Sequence, residues 1–129
     1  MAEYNKEQLF YLKLGKGFFD KAFVKVLESY PEGNAYVLLL VKMACESVPY
    51  NGYLRMSERV PYTFETLSVI TRTPLEVVRK ALKTYEELDI VSYTEDGTIF
   101  LKFVPSMTAK TTVGALKKQI QLGGKNDEE

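Results

Sequence analysis

The sequence predicts a mainly helical α+β fold, and three observations support this. Apolar residues recur at helical spacing over much of the region between residues 18 and 88. After that region the spacing changes to the alternation that is typical of strands. The length of 129 residues, with 46% hydrophobic and 26% charged residues, fits one globular domain with a short tail.

The N-terminal part predicts one strand and two helices. Residues 9–14 alternate between apolar and polar positions, which is typical of a short strand. Residues 19–30 follow as an amphipathic helix, and Asp20 is placed to cap it. A second helix is expected to run from a cap at Asn34 to about Val48. Its nearly continuous apolar surface predicts the central helix of the core.

Two further helices are expected around a tight turn. Thr63 begins a short helix, and the turn that follows it lies at residues 71–74. The next helix has a recognisable N-terminal signature: Thr73 as the N-cap, Pro74 at the first helical position and Glu76 as the second member of a capping box.

Beyond Leu88 the pattern predicts a β-hairpin. Its strands cover residues 90–94 and 98–103 and are joined across Glu95-Asp96-Gly97, in which Asp-Gly is the preferred two-residue hairpin turn. A short strand over residues 53–56 precedes the two helices. The order helix, strand, helix, turn, helix, hairpin is that of a winged helix-turn-helix, with an extra strand and helix at the N-terminus.

The domain organisation follows from this order. We expect residues 1–105 to form the winged-helix domain and residues 106–129 to form a basic C-terminal tail that is partly helical or disordered. Residues 106–110 are predicted to be a linker, and residues 111–122 a weak amphipathic helix.

The composition excludes several kinds of chemistry. There is no histidine, which removes Ser–His–Asp and Cys–His catalysis and histidine-ligated metal sites. The single cysteine, Cys45, excludes an internal disulfide and a thiolate zinc cluster, and we expect it to be buried in the helical core. We therefore expect no catalytic residue, metal or cofactor, and the composition favours a binding module over an enzyme.

The charges balance over the whole chain but not locally. Seventeen Lys and Arg residues match seventeen Asp and Glu residues, so an anionic partner would need a local basic patch. Residues 71–85 provide one, because they hold four cations and one anion. The cations are Arg72, Arg79, Lys80 and Lys83.

The second helix of a helix-turn-helix lies in the major groove of DNA, with its N-terminal residues at the base edges. Arginine can read guanine with two hydrogen bonds, whereas lysine more often neutralises phosphate, so we predict base contacts by Arg72 and Arg79. The predicted phosphate contacts are Thr71, Thr73, Lys80 and Lys83. The alternative is that these charges are only solvated, as is common on the open face of an amphipathic helix.

Two neighbouring regions are less decisive. The hairpin tip, Glu95-Asp96, is acidic, so either the wing stays off the phosphate backbone or the tip is a plain solvated turn, and we expect the second. Residues 98–126 contain lysines but no acid, so they form either a backbone-tracking arm or a soluble tail. Lys102 and Lys110 of this run are included among the predicted DNA-binding residues.

The chain carries no sign of a membrane segment. Its most apolar stretch, residues 35–41, is far shorter than the roughly 20 residues that span a bilayer. Its polar N-terminus is unlike a secretory signal. We expect the protein in the cytoplasm. A second copy of the chain is a candidate partner, through a seam of Tyr4, Leu9, Tyr11 and residues 113–120.

Several short segments, in fixed order and spacing over residues 9–104, carry a likeness to a known family. They are Phe10-Tyr11-Leu12-Lys13-Leu14, Phe18-Phe19-Asp20, Pro31-Glu32-Gly33, Asn51-Gly52-Tyr53-Leu54, Pro61-Tyr62-Thr63, Tyr85-Glu86-Glu87-Leu88 and Asp96-Gly97-Thr98-Ile99. Together they resemble the N-terminal domain of phage replisome organisers, which are replication initiators of phages and prophages of Gram-positive bacteria.

The resemblance implies a winged-helix fold in the host cytoplasm and sequence-specific binding to double-stranded DNA at a replication origin. It also implies a role in assembling the phage replication complex. Family members usually carry a further C-terminal region that engages a helicase or helicase loader, so we expect this chain to be an excised domain or a short relative. Asp89 stands where the family often has glycine after the recognition helix, a position that Asp tolerates less well.

Two other functions stay open on the same fold, because fold does not determine function. One is a winged-helix transcriptional regulator. The other is a winged-helix protein-interaction module without DNA contact.

Overall fold

The computed structural model describes residues 8–112, with side chains from residue 10 to residue 109. Short 3-10 turns lie at Phe18–Asp20, Val48–Tyr50 and Pro105–Met107. The helices are α1 (Ala22–Glu28), α2 (Gly33–Ser47), α3 (Phe64–Thr71) and α4 (Leu75–Glu87). The strands are β1 (Gln8–Leu12), β2 (Val91–Tyr93), β3 (Ile99–Leu101) and β4 (Thr108–Thr112). The predicted α+β class is confirmed.

The helix α2 lies at the centre of the core. Its Leu40, Met43 and Ala44 side chains are fully buried and belong to one cluster that includes side chains of α1, α3 and α4. Complete burial of a leucine or methionine stabilises the fold by about 1.5–3 kcal/mol. One side of α2 stays open, however, because Leu38 is 56% exposed. The predicted central role of this helix is confirmed, and its apolar surface is less continuous than the sequence indicates.

The starts of α1 and α2 differ from the prediction. Neither Asp20 nor Asn34 caps a helix, because Lys21 and Glu32 occupy the N-cap positions without side-chain bonds. Asp20 instead ends a separate 3-10 turn. At the start of α2, a Cβ atom on Gly33 would lie 2.4 Å from the Leu27 carbonyl oxygen. The close approach of α1 and α2 therefore requires glycine at this position.

The start of α3 agrees with the prediction. The Thr63 hydroxyl accepts a hydrogen bond from the Thr66 amide at 3.1 Å, and the Thr66 hydroxyl accepts one from the Thr63 amide at 2.8 Å. This reciprocal pair forms a capping box around Thr63.

The start of α4 differs from the prediction. The N-cap is Pro74, without a side-chain hydrogen bond, so the predicted capping box of Thr73 and Glu76 is wrong. The Thr73 hydroxyl donates instead to the Thr71 carbonyl at 3.2 Å, within the turn. The Thr73 hydroxyl is therefore bonded to the Thr71 carbonyl, which precedes it in the chain, and does not cap α4.

The hairpin β2–β3 is antiparallel and has a three-residue connection. The Thr94 amide donates to the Thr98 carbonyl at 2.9 Å, and the Gly97 amide donates to the Thr94 carbonyl at 3.0 Å. Gly97 has a φ of +84°, as expected for the left-handed residue of a three-residue hairpin loop. The predicted connection across residues 95–97 is therefore confirmed, although Asp96-Gly97 forms part of a three-residue loop and not a two-residue turn.

A short extended segment lies beside the hairpin. The Leu54 amide donates to the Ile99 carbonyl, and the Leu101 amide donates to the Gly52 carbonyl, both at 2.8 Å. The strand predicted over residues 53–56 is thus reduced to bridges from Tyr53 to Phe100 and from Arg55 to Pro61.

The second sheet joins the two ends of the described chain. Strand β1 pairs antiparallel with β4, with Leu12 opposite Thr108, and the Lys13 amide donates to the Met107 carbonyl at 2.6 Å. The linker predicted at residues 106–110 is therefore wrong, because this segment contains a paired strand and the buried Met107. Residues 113–129, which include most of the predicted tail, lie outside the described residues.

Candidate nucleic-acid interface

Helix α4 separates its apolar and charged side chains onto opposite faces. Val78, Ala81, Leu82 and Tyr85 are all fully buried. Glu76, Arg79, Lys80 and Lys83 are exposed. The predicted orientation of this helix is confirmed. Its charged side chains therefore line an open surface of the protein.

Tyr85 fixes α4 against the central helix. Its hydroxyl donates to the backbone carbonyl of Tyr36 in α2. Burial raises the pKa of Tyr85 well above its ordinary value, so the phenol keeps the proton that it donates. The outer face of α4 is held in place by this bond together with the packing of the inner face.

The turn between α3 and α4 contains a strained residue. Arg72 has a φ of 55°, in the left-handed region, which costs a non-glycine residue about 1–2 kcal/mol. Its amide donates back to α3, and the Lys42 ammonium group donates to the neighbouring Thr71 carbonyl at 2.9 Å. The Arg72 side chain is exposed beside the start of α4.

The two threonines of the turn point their hydroxyl groups into the protein. Thr71 is only 2% exposed, and its hydroxyl donates to the Leu67 carbonyl at 2.6 Å. Thr73 is half-buried and donates to Thr71. Since each hydroxyl already donates its proton within the protein, we leave Thr71 and Thr73 out of the interface proposed below.

Arg79 contacts α3. Its Nη2 atom lies 3.2 Å from the Glu65 carboxylate, and its guanidinium carbon lies 5.8 Å from the centre of the Phe64 ring. The side chains of Arg79 and Glu65 are 54% and 64% exposed. An ion pair this open contributes about 0–1 kcal/mol, so it orients Arg79 without keeping it from another anion.

The other predicted cations have different surroundings. Lys80 and Lys83 are exposed and take no part in the ion pairs found among residues 8–112. Lys102 is exposed and pairs with Asp89, whose φ of 62° confirms the predicted left-handed position after α4. Lys110 lies in β4, in the other sheet, and its side chain is outside the described residues.

The acidic hairpin tip has more internal structure than a plain solvated turn. The Asp96 carboxylate accepts from Arg55 at 2.9 Å and from the Thr98 hydroxyl at 2.8 Å, and also from the Thr94 hydroxyl. These bonds hold the pKa of Asp96 well below its ordinary value of 3.8. Arg55 is 41 positions away in the chain, and no local pattern indicates the pairing.

Comparison with known families decides the chain's affiliation. The profile described as the N-terminal phage replisome organiser matches residues 11–127. The chain belongs to this family. The membership confirms the resemblance seen in the sequence and connects the chain with phage replication. No curated protein and no solved structure shows a significant match to it.

The replisome organiser domain differs from the sequence prediction at its cysteine. Cys45 is exposed, so the predicted burial is wrong. It lies on the side of α2 that also carries the exposed Leu38. Partial burial, with a smaller effect of Glu46, raises the pKa of the thiol, which is the opposite of what an activated nucleophile needs.

The described residues contain no group of three potential metal ligands, and none of their helices is long and apolar enough to cross a bilayer. The predicted dimer seam depends mainly on Tyr4, Leu9 and residues 113–120, whose side chains lie outside the described part of the chain.

Proposed function

We propose that this domain is a non-enzymatic winged helix of the host cytoplasm that binds double-stranded DNA at a phage or prophage replication origin. The observation that carries the proposal is the outer face of α4, where Arg79, Lys80 and Lys83 are exposed on a helix whose other face is fully buried. Family membership favours replication over transcription as the setting.

The arrangement of elements supports a winged helix. Helices α3 and α4 are separated by Arg72, Thr73 and Pro74 alone, and the hairpin β2–β3 follows α4 closely. The segment from Gly52 to Leu54 forms two backbone hydrogen bonds with strand β3 of that hairpin. In this fold α4 is the recognition helix and the hairpin is the wing.

The interface we propose has two kinds of contact. Arg79 and Arg72 read base edges from the N-terminal part of α4 and the preceding turn, and Lys80 and Lys83 neutralise phosphates. A bidentate arginine–guanine pair discriminates by about 1–3 kcal/mol, which exceeds the 0–1 kcal/mol of an open ion pair. Because the guanine contact is the stronger of the two, Arg79 leaves Glu65 and bonds to a guanine when DNA binds.

The wing stays off the backbone in this proposal. Asp96 remains bonded to Arg55, and the adjacent Glu95 is an exposed carboxylate that phosphate repels. The hairpin tip therefore lies outside the footprint, which consists of α4, the turn before it, and Lys102 and Lys110 as further phosphate contacts.

The experiment is a titration of the full chain with origin-derived and random labelled duplexes at about 50 and about 200 mM salt, read by fluorescence anisotropy. We expect tighter binding to the origin duplex and weaker binding of both at the higher salt. Each neutralised phosphate contributes about 0.9 to the slope of log affinity against log salt. Combined Lys80→Gln and Lys83→Gln should lower that slope by about 2.

The matched control is Lys25→Gln, which removes an exposed lysine from α1. Its duplex affinity should equal that of the unmodified chain. Duplex binding that does not respond to salt, or that the α4 double variant leaves unchanged, would rule the proposal out.

A second candidate function is a winged-helix module that binds protein without contacting DNA. It is favoured by the exposed carboxylates that surround the α4 cations. These are Glu65, Glu76, Glu86, Glu87 and Asp89. Failure to bind any duplex at low salt would support this candidate, with a helicase or helicase loader as the first partner to test. A transcriptional role would be indicated by preferred binding at promoters.

A further inference from the structure

We propose that the segment of residues 13–28 forms a second nucleic-acid site, which takes single-stranded DNA. The site is separate from α4 and goes beyond the duplex binding proposed above. It combines unpaired lysines, a half-exposed aromatic ring and an apolar groove, the features that proteins use to hold unstacked bases on a charged track.

The first observation is a local concentration of positive charge. Residues 13–27 contain Lys13, Lys16, Lys21 and Lys25 but only one carboxylate, Asp20. All four lysines are exposed, and none takes part in the ion pairs found among the described residues. With Glu28, which lines the groove described below, residues 13–28 carry four cations and two anions. A phosphate backbone therefore meets a net positive charge along this segment.

The second observation is the position of Phe19, between Lys16 and Lys21. Its ring is 48% exposed, although it also packs edge-to-face on the buried Phe18 ring at 5.2 Å between centroids. This contact holds the Phe19 ring in one orientation while leaving much of it accessible. Stacking of a base on such a ring contributes about 1–3 kcal/mol.

The third observation is a groove beside that ring. It has a volume of about 300 Å³ and opens to solvent. Its apolar lining includes Leu14, Phe19, Leu38 and Val41, and its polar groups are Asn34 and Glu28. An unstacked base has apolar faces that fit this lining and edge groups that an amide or a carboxylate can bond.

The residues that line the groove are close to the lysines in the chain. Leu14 follows Lys13 directly, Phe19 lies two positions before Lys21, and Glu28 lies three positions after Lys25. Bases in a duplex are stacked and paired and cannot enter a groove of this kind, whereas those of a single strand can. The exposed lysines of this segment and the apolar lining of the groove together favour single-stranded DNA as the occupant.

The test compares two ligands across two sets of variants of the full chain. A labelled oligothymidylate of about 16 nucleotides serves as the single strand, and the origin duplex serves as the second ligand. Phe19→Leu keeps an apolar side chain but removes the stacking ring. It should weaken oligothymidylate binding by about 5- to 150-fold and leave duplex binding unchanged. Phe19→Tyr keeps a ring and should restore single-strand affinity.

The charge arm uses combined Lys16→Gln and Lys21→Gln. The salt slope for oligothymidylate should fall by about 1.4, because each phosphate contact contributes about 0.7 for single strands. Combined Lys80→Gln and Lys83→Gln is the matched control and should affect the duplex alone. Loss in the α4 variant alone would support duplex binding but overturn the second site. If only the Phe19 and Lys16/Lys21 variants lose affinity, the second site would be supported and duplex binding by α4 would be overturned.

Three further results would overturn the inference. One is oligothymidylate binding that neither Phe19→Leu nor the Lys16/Lys21 variant weakens. Another is equal weakening of both ligands by these variants, which would indicate a general phosphate contact. The third is a Phe19→Leu variant that shifts the chain from dimer to monomer in sedimentation and keeps its single-strand affinity, which would assign the groove to a second copy.

Discussion

The outer face of α4 and the tip of the β2–β3 hairpin are both exposed and charged, but their charged groups differ in the number of partners that they have within the protein. The Asp96 carboxylate at the tip is bonded to Arg55, Thr94 and Thr98. On α4, Lys80 and Lys83 extend into solvent, and Arg79 has one open ion pair. A surface charge is less available to a ligand where several hydrogen bonds of the fold already hold it, and exposure alone does not show this.

The largest expected effect is on stability, and it tests whether α4 buries its apolar face and exposes its cations. Leu82→Asp places a charge at a fully buried position and should cost more than about 4 kcal/mol, which is enough to unfold many domains. Lys83→Asp changes the next residue, which is exposed, and should stay within about 0.5 kcal/mol. Urea unfolding followed by circular dichroism measures both. Equal midpoints for the two variants would mean that α4 is turned another way.

The next effect concerns the availability of the α4 cations. Arg79→Ala should weaken binding of the origin duplex by about 1–3 kcal/mol and have less effect on a random duplex, because it removes a base contact. Glu65→Gln is the control, since it releases Arg79 from its ion pair and should not weaken duplex binding. Anisotropy titrations of both variants check the prediction. A loss of affinity in Glu65→Gln would show that the ion pair itself positions Arg79.

A smaller effect concerns the turn before α4. Arg72→Gly relieves a left-handed strain of about 1–2 kcal/mol but adds about 0.4–1 kcal/mol of unfolded-state entropy, so stability should rise by about 0–1.6 kcal/mol. Duplex affinity should fall, because a cation is lost. Arg72→Ala removes the same side chain but keeps the strain, so it should bind equally weakly and be less stable than Arg72→Gly. Urea midpoints that do not differ between the two variants would argue against strain at this position.

The smallest effect is at the hairpin tip. The lowered pKa of Asp96 means that its ionised form stabilises the folded state above its ordinary pKa of 3.8, and that this contribution is lost as pH falls below that value. Asp96→Asn should lower the urea midpoint near pH 6 and reduce the loss between about pH 6 and about pH 3. Glu95→Gln, at the adjacent exposed residue, is the control. Identical pH profiles for Asp96→Asn and the unmodified chain would contradict the role given to Asp96.

Sequence reasoning succeeded where the cause is local. The alternation of buried and exposed positions along α4 needs only a helical period, and the Thr63 cap needs only a partner three positions away. The left-handed position of Asp89 followed from the family pattern. These features involve residues within one helix or turn, so the chain order carries the information.

Sequence reasoning failed where a distant group competes for a residue. The predicted linker at residues 106–110 became a strand because β1 pairs with it from the other end of the domain. Thr73 was expected to cap α4, but the folded turn offers its hydroxyl another acceptor. Cys45 was expected in the core, but it lies on a side of α2 that stays exposed after folding.

By itself, the sequence determined the order of helices and hairpin, the family of the chain and the face on which α4 carries its cations. The tertiary structure alone decided which charges already have partners, where the groove beside Phe19 opens and that the two ends of the domain pair. The physical reason is range. Helical period and turn preference act between neighbours in the chain, whereas hydrogen bonds, ion pairs and burial depend on distances that exist only after the chain has folded.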